Sequence, residues 1–498
     1  MLFNSMGFLI FFPTVCMIYF LISPNARYLW LLAASYFFYM CWNPQYLFLI
    51  LFSTIITYLS GVAMEKIKRL NPKVRARSNW LKICVALSIF LNLALLFYFK
   101  YWGFAIANIN RIIAKIGLQI SFPMQNVLLP VGISFYIFQA LGYTIDVYRG
   151  DIYAEKNFFR YALFVSFFPQ LVAGPIERSR NLLKQVGKPT YFDINNVREG
   201  LLTMAYGLFI KVVVADRLSG IINPVYANWN EQNGMCLLTA TVLFAFQIYC
   251  DFEGYSQLAI GSAKTLGFSI NRNFDTPYLS GNVHDFWKRW HISLTSWFRD
   301  YLYIPLGGNR KGKLRKHLNT MIVFLVSGLW HGASWHFVAW GGINGIYHVM
   351  QDVTLPFRKK AVACLRVDAG AFMWKCFCCF VTFALVDVSW LFFRADGIRS
   401  ALTILVKIGQ DFSWRYLFAD AFYNLFGSAR ELFIVFFSLA IVFFIDVLRY
   451  KKIDLKAWVL KQQLCYRWII YFTIILVIIL WGAYGSDYEQ TQFIYFQF

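Results

Sequence analysis

The sequence predicts an all-α, polytopic integral membrane protein with about 11–14 membrane helices, some of them short, tilted or re-entrant. Three observations predict it. Of 498 residues, 59% are hydrophobic and only 14% are charged, where a soluble domain carries about a quarter charged residues; the mean hydropathy is +0.52. Apolar runs approaching the roughly 20 residues that cross a hydrocarbon core recur along the whole chain. The basic residues gather in short connections beside those runs.

The elements follow in order. The first 22 residues carry no basic n-region, so they read as a first span, near Phe3–Ile22, and not as a cleaved signal peptide. Further runs fall near Tyr46–Ala63, Trp80–Phe99, Pro130–Val147 and Phe158–Val172. The stretch "FFPQLVAGPIERSR" (167–180) holds Pro169, Gly174 and Pro175. It reads either as a broken helix whose polar backbone is satisfied by protein or a watery cavity, or as an interfacial loop. Met235–Tyr249 and Gly254–Phe268 read as separate runs. Leu318–Trp335 and His336–Met350 read as a hairpin, and Ala371–Phe393, Leu432–Val447 and Trp468–Trp481 close the set. One membrane-embedded domain is expected over residues 1–498, with N-terminal spans in 1–100 and C-terminal spans in 430–498.

The net charge of +22 raises the question of nucleic acid. The distribution excludes it: clusters at 66–77, 310–316, 358–366 and 449–461 are cytoplasmic-loop signatures, not a basic stripe. They place both chain termini outside and the turn of the Leu318–Met350 hairpin outside. Ten cysteines show no paired framework, and Cys376, Cys378 and Cys379 lie within an apolar run, as packing residues do.

Residues 250–317 mix charge, aromatic and apolar residues too closely for plain spans. Trp287, Trp290, His291 and Leu294 follow i, i+3, i+4, i+7 spacing, which predicts one amphipathic or protein-buried helix over 284–304.

The chain has six histidines, and an ionisable group inside a span is a functional candidate because its burial is costly. In "SGLWHGASWHFVAWG" (327–341), His331 lies 13 residues past Leu318. A helix puts it about 20 Å from the cytoplasmic side, beyond the middle of a ~30 Å core. His336 is five residues on, about 140° around a helix, so the two imidazoles share no helical face and do not form an i, i+4 metal pair. His336 reads as interfacial. His291 is a candidate alongside a structural reading, and Asp251 and Glu253 read as a helix cap or a buried pair with a nearby arginine. There is no G-x-S-x-G, Walker loop or H-E-x-x-H.

The blocks "DFWKRWHISLTSWFRDYLYIPLGGNR" and "GLWHGASWHFVAWG" resemble the two histidine-bearing blocks of the membrane-bound O-acyltransferases, in particular the bacterial branch of alginate and peptidoglycan O-acetyltransferase membrane subunits. "PVGISFYIFQALGYTIDVYRG", "FFPQLVAGPIERS" and "YCDFEGYSQLAIG" are similar to further blocks of that branch. The resemblance spans about residues 125–395. One departure stands out: the branch usually reads D-F-S-G-Y-S-D, and here Glu253 and Gln257 replace a serine and an aspartate.

The resemblance implies that His331 is the family's invariant histidine and His291 its second functional position, with Trp330, Trp290 and Asp251 supporting the pocket. It implies a cytoplasmic acetyl-coenzyme A donor, a polysaccharide acceptor outside, an esterase-like extracytoplasmic partner protein, a central funnel meeting a tunnel, and no permanently bound cofactor or metal. His331 would act as base and His291 as oxyanion donor; transient acylation of His331 is equally open. The tail "FIYFQF" resembles one seen in this branch, with Tyr495 either an acyl relay or part of an aromatic belt. Two other readings remain at this point: transfer of D-alanine or another acyl group, and a transporter or flippase without transfer chemistry.

Overall fold

The apolar runs fold as helices, and among the described residues there is no strand. The computed structural model describes residues 1–70, 79–124, 128–172, 174–418 and 425–484. The expectation for Tyr495 lies outside the described residues.

Contacts divide the chain into two units, Met1–Leu201 with Leu258–Asn271, and Leu202–Gln257 with Arg272–Phe498. The first contains α1 (Met6–Leu21), α2 (Arg27–Met40), α3 (Tyr46–Leu70), α4 (Asn79–Lys115), α5 (Ile133–Arg149) and α6 (Phe158–Ser166). Aromatic rings pack α1 and α2 around Phe168, with Phe11 at 5.4 Å and Phe38 at 5.7 Å. A close approach joins α3 to α5, where Gly61 lies against the Tyr143 ring and a β-carbon would come within 2.8 Å of its hydroxyl.

The run expected at Phe158–Val172 is broken. α6 ends at Ser166, Phe167 adopts φ −52°, ψ 109°, and a four-residue turn follows at Phe168–Leu171 with Pro169 in its first turn, where a missing N–H costs nothing. Residues 167–172 are buried, so the interfacial-loop reading gives way to a broken helix held inside protein. Glu177 beyond it is buried too. It accepts from the Asn271 backbone N–H and from Asn181 Nδ2 at 2.8 Å, and burial pushes its carboxyl up to about 7.

The chain passes into the second unit within α7 (Ile194–Leu208), which continues as a π-helical turn at Phe209–Ala215 and then α8 (Asp216–Ala227). α9 (Gly234–Thr265) follows. The two runs expected at Met235–Tyr249 and Gly254–Phe268 are thus one helix of 32 residues. Asp251 and Glu253 do not end it: they sit mid-helix, where the buried Lys211 and the half-buried Arg449 neutralise them.

The helix expected over 284–304 is instead α10 (Val283–Arg289), a reversal at Trp290 and His291, α11 (Ile292–Phe298), and a π-helical turn at Arg299–Tyr303. α12 (Gly312–His331) and α13 (Trp335–Cys364) form the predicted hairpin. α14 (Phe372–Arg394), α15 (Ile398–Gln410), α16 (Ala429–Tyr450) and α17 (Leu464–Trp481) complete the unit. α3, α4, α9, α14, α16 and α17 are each long and apolar enough to cross a membrane, so the protein is multi-pass.

Candidate active site

The site lies wholly within the second unit, and its first component is a strained backbone. His291 sits between two seven-residue helices in the left-handed region, φ 44°, ψ 52°. A non-glycine residue holds that conformation only where its surroundings dictate it. Here they do. The Ile292 N–H donates to the Asn273 carbonyl at 2.8 Å, and Ser293 Oγ donates to Asn273 Oδ1 at 2.6 Å. Asn273 Nδ2 in turn donates to Ser256 Oγ on α9 at 3.0 Å. The reversal is tied to α9, and its imidazole stands edge-on to Phe252 at 4.7 Å.

His331 enters from another element. It is the last residue of α12 and is buried. Gly332 after it is extended, and a β-carbon there would run into the Phe337 ring; the glycine is what lets the chain turn this close to the imidazole. Around His331 stand Trp330 at 4.9 Å, Trp340 at 4.9 Å and Phe393 at 5.6 Å, all edge-to-face. The His291 and His331 ring centroids are 6.3 Å apart, and Trp330 is 6.0 Å from His291.

Both imidazoles are about 1–4% exposed. His291 lies in a turn between helices too short to span, and burial drives its pKa down to about 3. It is therefore a neutral ring at ordinary pH, one nitrogen a donor and the other an acceptor.

Trp290 packs one layer behind the imidazoles, against Trp390 at 4.8 Å and Phe274 at 4.9 Å, and Trp390 stacks on Trp340. Asp251 is committed elsewhere: its carboxylate accepts from Lys211 Nζ at 2.5 Å, and the same ammonium donates to Asp216 at 2.7 Å. Its chain neighbour Phe252 is the residue that meets His291. Glu253 accepts from Arg449 Nη1 at 3.0 Å and from Gln257 Nε2 at 2.7 Å. The two residues that depart from the branch pattern thus hydrogen-bond to each other, one helical turn apart.

His336 is not interfacial. It is 9% exposed while Trp335 is 52% exposed, and its Nδ1 lies 3.2 Å from the Phe392 carbonyl. One residue step turns a helix by 100°, enough to move from the outer face to the α14 side. The other three histidines gather away from the imidazole pair. The His284 and His348 rings are 4.3 Å apart, and Asp352 lies 3.8 Å from His284, 4.0 Å from His317 and 2.5 Å from Lys316 Nζ. No group of described residues has a metal-binding arrangement.

Lys211, Trp340 and Phe393 were not singled out from sequence. Lys211 had a signal, a lone cation inside the run "LFIKVVVA". Trp340 and Phe393 had none, since tryptophan and phenylalanine abound in every span.

Two buried imidazoles face each other among aromatic rings in a multi-pass helical protein, an arrangement suited to proton transfer away from water. The family model for MBOAT, the membrane-bound O-acyltransferase family, matches residues 151–386. The chain belongs to this family and is an O-acyltransferase. It is 38% identical to the probable alginate O-acetylase AlgI of Pseudomonas putida over 406 residues, 80% of this chain and 79% of that protein. It is 33% identical to the peptidoglycan O-acetyltransferase of Helicobacter pylori over 438 residues, 81% of this chain and 79% of the relative. Against the teichoic acid D-alanyltransferase of Streptococcus thermophilus the figures are 30% over 288 residues, 54% of this chain and 69% of the relative.

Proposed function

We propose that this enzyme moves an acetyl group from cytoplasmic acetyl-coenzyme A to hydroxyls of an extracytoplasmic polysaccharide, by way of an esterase-like partner protein outside the cell membrane. The observation that carries the reading is the apposition of His291 and His331 at 6.3 Å inside an aromatic enclosure. Acetyl is favoured over D-alanyl because the O-acetyltransferase relatives match 80–81% of the chain and the D-alanyltransferase 54%.

In this reading His331 takes the proton of the incoming hydroxyl as its oxygen attacks the thioester carbonyl. The N–H of neutral His291 stabilises the oxyanion, and exclusion of water by the surrounding rings strengthens that bond. Collapse of the tetrahedral species breaks the carbon–sulfur bond, and the imidazolium of His331 returns its proton to the leaving thiolate. The acetyl group alone changes sides. Trp330, Trp340 and Phe393 fix the His331 ring, and Asn273 fixes His291. Asp251 supports the pocket indirectly, by holding Lys211 against α9 beside Phe252. Tyr495 would serve as an acyl relay on the outer side.

Both termini lie outside in this arrangement, with the bacterial inner membrane as the site of action, and the donor binds only for the turnover. Purified protein supplied with acetyl-labelled coenzyme A should release or transfer label, and should ignore a D-alanyl thioester. Turnover of the D-alanyl donor alone would move the protein to that class.

A further inference from the structure

The first unit carries a cleft that the transfer chemistry leaves unused. It is a small cleft, partly open to solvent, between the α1–α2 turn and residues 186–190. Tyr19, Arg27, Tyr28, Arg160, Lys188 and Thr190 face it, and none of its described lining residues is acidic.

Arg27 is fixed in place. It is 8% exposed. Its guanidinium donates to the carbonyls of Ile22 at 3.2 Å, Phe20 at 3.2 Å and Thr190, and lies 5.2 Å from the Tyr19 ring centroid. These partners satisfy N–H groups but are all neutral, so the charge has no counter-charge among them. The Arg160 guanidinium lies 5.3 Å from the Tyr28 ring centroid, and its Nε is buried without a hydrogen-bond partner among the described residues. Lys188 stands exposed at the rim.

A desolvated cation without an anion is costly, and an anion placed beside the buried Arg27 offsets that cost. Planar guanidinium forks match the oxygens of a tetrahedral oxyanion, and a phosphate has enough oxygens to engage two forks and an ammonium together. We infer that this cleft binds a phosphate group, a mono- or diester, with Arg27 and Arg160 as forks and Lys188 as the rim charge. The phosphate belongs either to an anionic phospholipid headgroup or to a soluble phosphate ester; the chemistry of recognition is shared. Only residues of the first unit take part, and the inference uses neither His291 nor His331.

Full-length protein in a neutral detergent can be titrated with short-chain phosphatidylglycerol and, separately, with inorganic pyrophosphate, read by calorimetry and thermal stabilisation. At least one probe should bind saturably and more weakly as salt is raised. Arg160→Gln should weaken that binding about ten-fold or more, and Arg160→Lys should recover part of it. Lys188→Gln gives a second, rim-located variant that removes no packing. Both glutamine variants should melt like wild type without a probe. Binding of phosphatidylglycerol alone assigns a headgroup, and binding of pyrophosphate alone assigns a soluble ester. Failure of both probes to bind, or affinities unchanged in Arg160→Gln and Lys188→Gln, would overturn the inference.

Discussion

The left-handed backbone of His291 separates two demands made on one residue. The turn needs a residue that tolerates φ 44°, and the chemistry needs an imidazole. Asparagine enters that region readily, whereas a β-branched residue does not. His291→Asn should therefore fold with a near-native melting temperature and lose about two orders of magnitude or more in transfer rate. His291→Val should lose stability as well, by about 1–3 kcal/mol. Equal melting temperatures for the two variants would show that the backbone is not constrained here. At this scale the sequence was informative about chemistry and silent about geometry. His291 and His331 were visible as ionisable groups in apolar surroundings. The helical spacing of Trp287, Trp290 and Leu294 suggested one continuous helix, because side-chain periodicity does not reveal that Asn273, far upstream, captures the Ile292 amide.

Two helix contacts position the imidazoles. In the α12–α13 hairpin, Gly328 and Gly341 approach so closely that a β-carbon on Gly341 would meet the Phe324 carbonyl and stand 3.2 Å from the Gly328 Cα. Small residues permit such backbone contact between membrane helices. Gly341→Ala should cost about 1–3 kcal/mol and disturb His331, which ends α12. Gly342→Ala, whose added carbon would touch only a Leu325 methyl at 3.6 Å, should be neutral; thermal melts and transfer rates of the pair check this. The second contact joins the π-helical turn at Phe209–Ala215 to α9. Gly254 lets Lys211 come alongside, with the Lys211 Cβ 3.0 Å from where a Gly254 β-carbon would stand, and its ammonium reaches Asp251. Lys211→Met would leave the buried Asp251 and the partly buried Asp216 without that ammonium and should destabilise by about 3–5 kcal/mol. Adding Asp216→Asn and Asp251→Asn should restore most of the loss, and a melting series that shows no recovery would refute the ion-pair account. The hairpin was legible from the basic clusters at 310–316 and 358–366 that flank it. The continuity of α9 was not, because Asp251 and Glu253 look like an end of an apolar run until Lys211 and Arg449 are seen to neutralise them.

For the whole molecule, composition together with apolar runs near 20 residues long pointed to a helical, multi-pass membrane protein, since 59% apolar residues exceed what a soluble domain carries. The division into two units, by contrast, depends on which helices pack together, and hydropathy does not encode that. The distribution of Lys and Arg predicts sidedness. With the exposed Cys41, Cys364, Cys376 and Cys465 replaced by serine, Arg415→Cys should react with an impermeant maleimide in intact cells. Lys313→Cys should react only after permeabilisation, and the reverse pattern would invert the topology. The central claim is that the chemistry runs through His331, and its most direct measurement is label transfer from acetyl-labelled coenzyme A by purified wild-type and His331→Ala proteins of matched melting temperature. The account predicts that the variant loses transfer by a factor of about 10²–10⁴; unimpaired transfer by His331→Ala would contradict it.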